Sequence, residues 1–253
     1  MPGPIANALK VPDSRIADLI QAGEVRVGIH SFMYTTDPHT GELNGALSGV
    51  ILLDIARALG AQIGVEIVPV GHPTIPEMLN CLVAGSCDIG FMGPDASRTG
   101  VDFSPPILQL DYTYLVPACS SIQCIADADR PSVRIAVVRD HASTLTLTRV
   151  LKHAELVYEA VPDVSFELLR TGLVDVLAST RGVLLAYSAN LPGSQVLEDS
   201  YGANLLGVAL PKGKEARLAY ISEFVELAKA SGLVQRAIER SGLRGYKVAP
   251  PQT

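Results

Sequence analysis

Apolar positions along the chain switch repeatedly between a two-residue and a 3.6-residue period, which predicts strands alternating with helices. Residues 25–29 form a short apolar strand, followed by the turn formers Asp37-Pro38-His39-Thr40-Gly41. Residues 47–59 carry Val50, Leu53, Ile55 and Leu59 at helical spacing, and Gly60 is expected to end that helix. A second strand covers 65–70. Thr74 then stands where it can cap a helix over 75–83 closed by Gly85. A third strand at 88–92 is broken by Gly93-Pro94, and a long extended run covers 110–117.

The same plan then restarts, with strands at 133–138, 156–158 and 174–177 and helices at 143–152, 164–170 and 181–189. A second extended run at 204–210 precedes two helices, 215–230 and 234–240. The fold class predicted is α/β, with two βαβ-type lobes and mainly parallel sheets. Lobe one takes 1–113 plus 208–253 and lobe two takes 114–207. The two extended runs bracket the second lobe as a two-stranded hinge, the connection that permits clamshell closure.

Composition narrows the function classes. Apolar residues make up 48% and charged residues 18% of the 253, which describes an ordered globular chain. The net charge of −6 and the absence of any long Lys/Arg cluster argue against nucleic acid or an anionic membrane as main partner. No apolar stretch approaches the ~18 residues of a membrane span, so no membrane insertion is expected. Residues 1–25 contain no basic head followed by an apolar core, so no export signal is visible. A start at an internal Met, a removed signal and a cytoplasmic protein all fit that observation.

The four cysteines fall as Cys81/Cys87 and Cys119/Cys124. Neither spacing is that of a zinc ribbon and no His-x-x-His partner follows, so no metal and no cofactor are expected. Cys119 and Cys124 are spaced to close a short loop disulfide in an oxidising compartment. Four reduced, partly buried thiols fit the sequence equally well.

Ligands in open α/β sheets bind beyond the carboxyl ends of the strands. Those ends offer His30, Phe32 and Tyr34, then Thr74, then Gly93, Asp95, Ser97 and Arg98. In the second half they offer His141, Ser143 and Thr144 at a helix start, and Thr180 followed by Arg181. A guanidinium such as that of Arg98 grips a carboxylate with two parallel hydrogen bonds. Hydroxyls at a helix N-terminus add to its positive dipole end. Each has an ordinary alternative: Arg98 as a surface residue, Ser143 or Thr144 as an N-cap, His30 and His141 as solvated loop residues, and Tyr34 as simple packing.

Taken together, Val25-Arg-Val-Gly28, the helix 49–60, Leu82-Val-Ala-Gly85-Ser-Cys-Asp88-Ile-Gly, Arg98 followed by Val101-Asp-Phe-Ser104, and Val133-Arg-Ile-Ala-Val resemble family 3 extracellular solute-binding proteins. These are receptors of amino-acid ABC importers, and the resemblance runs over about residues 25–243. It implies the type II periplasmic binding protein architecture, a periplasmic monomer and an ABC permease as partner. It also implies that Arg98 binds a ligand carboxylate with help from Ser143 and Thr144. The family's usual Asp after the third strand of lobe two, which holds an ammonium, is replaced here by Ser179-Thr180. A small anionic ligand with no required ammonium is therefore expected. The same architecture resembles cyclohexadienyl dehydratases, so a lyase acting on a small carboxylic acid is the alternative, with His30, His141 and Asp95 as the ionisable candidates.

Overall fold

The computed structural model describes residues 13–95, 98–139 and 141–251. The described residues divide into two compact units, one of those up to 108 together with 205–242 and those from 248 on, the other of those from 109 to 204 together with 243–247.

The first unit opens with α1 (Ala17–Ala22), then β1 (Glu24–His30), the hairpin β2 (Tyr34–Thr36) and β3 (Leu43–Gly45), and α2 (Ser48–Ile63). β4 (Glu66–His72), α3 (Ile75–Val83), β5 (Ile89–Met92) and β6 (Val101–Phe103) follow. β1 pairs in parallel with β4 on one side and β5 on the other. Its Val25, Val27 and Ile29 are fully buried, which the two-residue period requires of one sheet face.

Gly60 does not end α2. The helix runs on to Ile63 and stops at Gly64, whose φ is +77°. Gly60 is small for another reason: a side chain there would meet Ile67 and the Val65 carbonyl at 2.8 Å. At the other end of α2, a Cβ on Gly49 would lie 1.8 Å from the Met33 carbonyl oxygen.

The second unit is built from β7 (Leu108–Val116), α4 (Ile125–Ala128), β8 (Arg134–Val138), α5 (Ala142–Val150), β9 (Glu155–Glu159), α6 (Pro162–Arg170), β10 (Val176–Thr180), α7 (Arg181–Ser188) and β11 (Gln195–Val196). β8 lies between β9 and β10, parallel to both. β10 runs antiparallel to β7. The core packs Tyr114, Ile135, Val137, Leu147 and Val176 on one side of this sheet and Ala136, Leu169, Leu177 and Leu184 on the other.

β12 (Gly202–Pro211) then pairs antiparallel with β5 and β6, and α8 (Glu215–Ala230) and α9 (Leu233–Ser241) complete the first unit. β13 (Tyr246–Val248) pairs with β7. Among the described residues no helix is long and apolar enough to cross a membrane.

The cysteine pairing differs from both sequence alternatives. Cys81 and Cys87 form a disulfide, while Cys119 and Cys124 are free thiols. Gly85 (φ +70°) turns the chain after α3, and the Cys81 carbonyl accepts from the Ser86 and Cys87 N–H groups, so the turn folds back on Cys81.

Candidate functional site

Each unit carries a sheet whose first strand lies between the second and third. The crevice at the carboxyl ends of the first and third strands is where such sheets take ligands. In the first unit that point lies between His30, ending β1, and Gly93 with its loop, following β5.

His30 caps a 3-10 turn at 31–33: its Nδ1 accepts from the Phe32 N–H at 3.3 Å, which leaves the proton on Nε2. The exposed Phe32 ring meets the imidazole edge-on at 5.4 Å. The Ser31 hydroxyl donates to the Pro73 carbonyl at 3.0 Å and ties the ends of β1 and β4 together. Tyr34 lies across Gly71, where a Cβ would come within 2.7 Å of its ring. Thr74 is the N-cap of α3, accepting from Glu77 N–H at 3.3 Å, so its hydroxyl is used locally at a worth of about 1 kcal/mol.

Arg98 folds back on its own loop. Its guanidinium donates to the Gly93 carbonyl, and its backbone N–H donates to the Asp95 carbonyl at 3.0 Å. Gly93, Asp95 and Arg98 are thus held together just beyond β5. Ser97 lies outside the described residues.

In the second unit the corresponding groups are far more enclosed. His141, not Ser143 or Thr144, is the N-cap of α5. Its Nδ1 faces the Ser143 hydroxyl at 2.6 Å and the Ser143 N–H at 3.3 Å. Burial pushes its pKa down, which keeps the imidazole neutral near pH 7. Ser143 and Thr144 are both buried, and the Thr144 hydroxyl donates to the Val138 carbonyl at 2.7 Å. The Tyr201 hydroxyl sits beside Ser143 without a well-aligned hydrogen bond, and burial drives its pKa up.

Thr180 is buried at the end of β10 and is the N-cap residue of α7 without a side-chain capping bond. The Arg181 side chain turns onto its own unit, donating to the carbonyls of Leu197 at 2.7 Å, Glu198 at 2.8 Å and Asp199 at 3.2 Å. Its Nε lies 3.8 Å from Asp111. Asp111, on β7, also bonds Lys247 at 2.5 Å and Gln109 at 2.8 Å. Burial alone would raise its pKa, but the Lys247 contact, the Gln109 bond and the charges of Lys247 and Arg181 hold it below the usual carboxylate range.

Sequence reasoning placed the strand ends and missed the network of Asp111, Lys247 and Arg181. Nothing in the spacing links residues so far apart. It also passed over His72, whose Nε2 lies 3.4 Å from Cys87 Sγ and whose pKa burial lowers. A hollow lined by 117–122, 130–133 and Asp175 sits by the amino ends of β8 and β10, the wrong end of the sheet for such a ligand.

The sequence matches no protein-family profile and no curated protein. Solved structures do match over almost the whole chain. An ancestral cationic amino acid solute-binding protein superposes with a TM-score of 0.73 at 23% identity, over 90% of this chain and 99% of its own. The chain has the type II periplasmic binding protein fold. The binding component of an ABC transporter from Wolinella succinogenes, complexed with lysine, gives 0.70 at 22% identity over 86% of this chain and 95% of its own. An ancestral cyclohexadienyl dehydratase gives 0.57 at 24% identity over 91% and 97%. Binding proteins and an enzyme therefore share this architecture, so the fold alone does not separate the two functions.

Proposed function

We propose that this protein is a solute-binding protein that captures a small amino-acid-like or organic acid for an ABC importer outside the cytoplasm. Arg98 is the anchor for the ligand carboxylate. The observation that carries the reading is the position of Arg98: a guanidinium in the loop after β5, beside the end of β1, at the switch point of the first unit's sheet. His30 and Tyr34 add a ring N–H and an aromatic surface at neighbouring strand ends.

The ligand does not need an ammonium group. At the end of β10, where an acid would hold one, the chain has Thr180, and the nearby Asp111 carboxylate already serves Lys247 and Gln109. Two of the solved structures described above are a cationic amino acid binding protein and a binding component complexed with lysine, so basic amino acids make the sharpest comparison.

The test is a thermal-shift screen of amino acids against carboxylic acids lacking an amine, with each hit recovered and analysed by mass spectrometry. A ligand present at about 100 times its Kd adds about 2.7 kcal/mol of stability, which a melting curve reads easily. The expected hit is a carboxylate without an ammonium, recovered intact. Tight binding of lysine or arginine would overturn the ligand class. A hit recovered dehydrated would make the protein a lyase, the reading favoured by the likeness to the dehydratase and by the half-buried His141, whose pKa is lowered.

A further inference from the structure

One group of residues in the first unit has no part in that site: His72 at the end of β4, Cys81 on α3, and Cys87 in the turn before β5. One potential ligand atom from each lies within 4.8 Å of the others. The Cα atoms of the two cysteines are 5.3 Å apart, and His72 Nε2 lies 3.4 Å from Cys87 Sγ. The frame around them is tight. A Cβ on Gly28 would meet Met78 Cγ at 3.0 Å, Met78 Sδ at 3.4 Å and Cys87 Sγ at 3.5 Å, so the bare backbone of β1 admits both sulfurs. Met78 and Cys87 are fully buried in one apolar cluster, with Cys81 packed against it.

We propose that His72, Cys81 and Cys87 are a redox-gated site for a thiophilic metal ion of the zinc type, closed while the disulfide is intact and open once it is reduced. Two thiolates and an imidazole select such ions over magnesium or calcium. Tetrahedral zinc, with Zn–N about 2.0–2.1 Å and Zn–S about 2.3 Å, sets nitrogen and sulfur about 3.5 Å apart and two sulfurs about 3.8 Å apart. The His72–Cys87 separation already meets the first condition. The second is met when the S–S bond opens, with the two Cα atoms close enough to need little backbone movement. Water fills the remaining position, as at zinc sites with three protein ligands.

The chemistry balances with a phosphine reductant. Phosphorus gives two electrons to the S–S bond, which breaks into two thiols. Water supplies the two protons and the oxygen of the resulting phosphine oxide. Metal binding then releases both thiol protons to the buffer.

The test uses the full chain carrying Cys119→Ser and Cys124→Ser, so that the only thiols are those of the site. It is reduced anaerobically with a trialkylphosphine and titrated with Co²⁺ as the coloured probe. The expected result is one equivalent bound, with a sulfur-to-cobalt charge-transfer band and tetrahedral visible bands, both lost on adding Zn²⁺. Neither band forms before reduction. His72→Ala in this background weakens Co²⁺ binding at least about tenfold, the least expected for loss of a direct ligand. Circular dichroism of the reduced protein follows the fold. Loss of the fold on reduction, no band, equal binding before reduction, or an unaffected His72→Ala variant would each overturn the proposal.

Discussion

Arg26 and Asp88 of the first unit occupy the same corner as Arg134 and Asp175 of the second. In both, the arginine stands at the start of the unit's central strand and bonds the aspartate just ahead of the third strand, through its backbone N–H at 2.9 and 2.8 Å and its Nε at 3.0 and 3.2 Å. In both, Nη2 bonds the second carboxylate oxygen and also the carbonyl of the turn glycine, Gly85 or Gly172. The amino ends of the two sheets are therefore built alike. Their carboxyl ends are not: the first unit keeps His30, Tyr34 and Arg98 half-buried at and just beyond its strand ends, whereas the second buries Ser143, Thr144 and Thr180. A polar group buried and bonded within its own unit holds the fold.

The largest expected effect that sharpens this contrast comes from Arg181. Replacing it with Ala removes its three carbonyl contacts and leaves Asp111 with less compensation, and the protein should lose about 3 kcal/mol in denaturant melts. Asp88→Asn should cost about 2 kcal/mol, because the carboxylate is largely buried and also lies 3.9 Å from the enclosed Arg217. Thr144→Val should cost about 1 kcal/mol by removing a buried hydrogen bond to the Val138 carbonyl, which keeps only the longer one from the His141 N–H. Asp175→Asn, at the more exposed twin of the Asp88 corner, should cost less than about 1 kcal/mol. Equal losses at Asp88 and Asp175 would break the comparison.

Asp111 gives the pH dependence. Its pKa is lower folded than unfolded, so the unfolded chain binds the proton more readily and stability rises with pH across that window. The contribution is complete above the unfolded value of about 3.9 and is lost as pH falls through the folded value. Melting temperature measured downward from pH 5 should fall less steeply in Asp111→Asn than in the unaltered protein.

The shared corner was present in the sequence as Val25-Arg26-Val27 with Gly85-x-x-Asp88, and Val133-Arg134-Ile135 with Gly172-x-x-Asp175, although the halves show no obvious repetition otherwise. The long strands and helices were legible because their apolar period extends over enough residues to identify a face. The hairpin of β2 and β3, the two-residue β11 and the three-residue β13 were not, because elements so short exist through the strand they pair with. The end of α2 was misread at Gly60, since a glycine admitting a neighbouring strand looks in sequence like one ending a helix. The candidate site was legible as a set of strand ends. Which hydroxyls would be buried, and that Arg181 would turn to carbonyls of its own unit, depends on packing that spacing does not encode.

The most direct test of the central claim is isothermal titration of the screened ligand into the unaltered protein and into Arg98→Ala. Binding at least about tenfold weaker in the variant, the scale of a lost charge-assisted contact, is the result expected if Arg98 holds the carboxylate. Unchanged affinity in a variant that melts like the unaltered protein would remove Arg98 from the site and contradict the account.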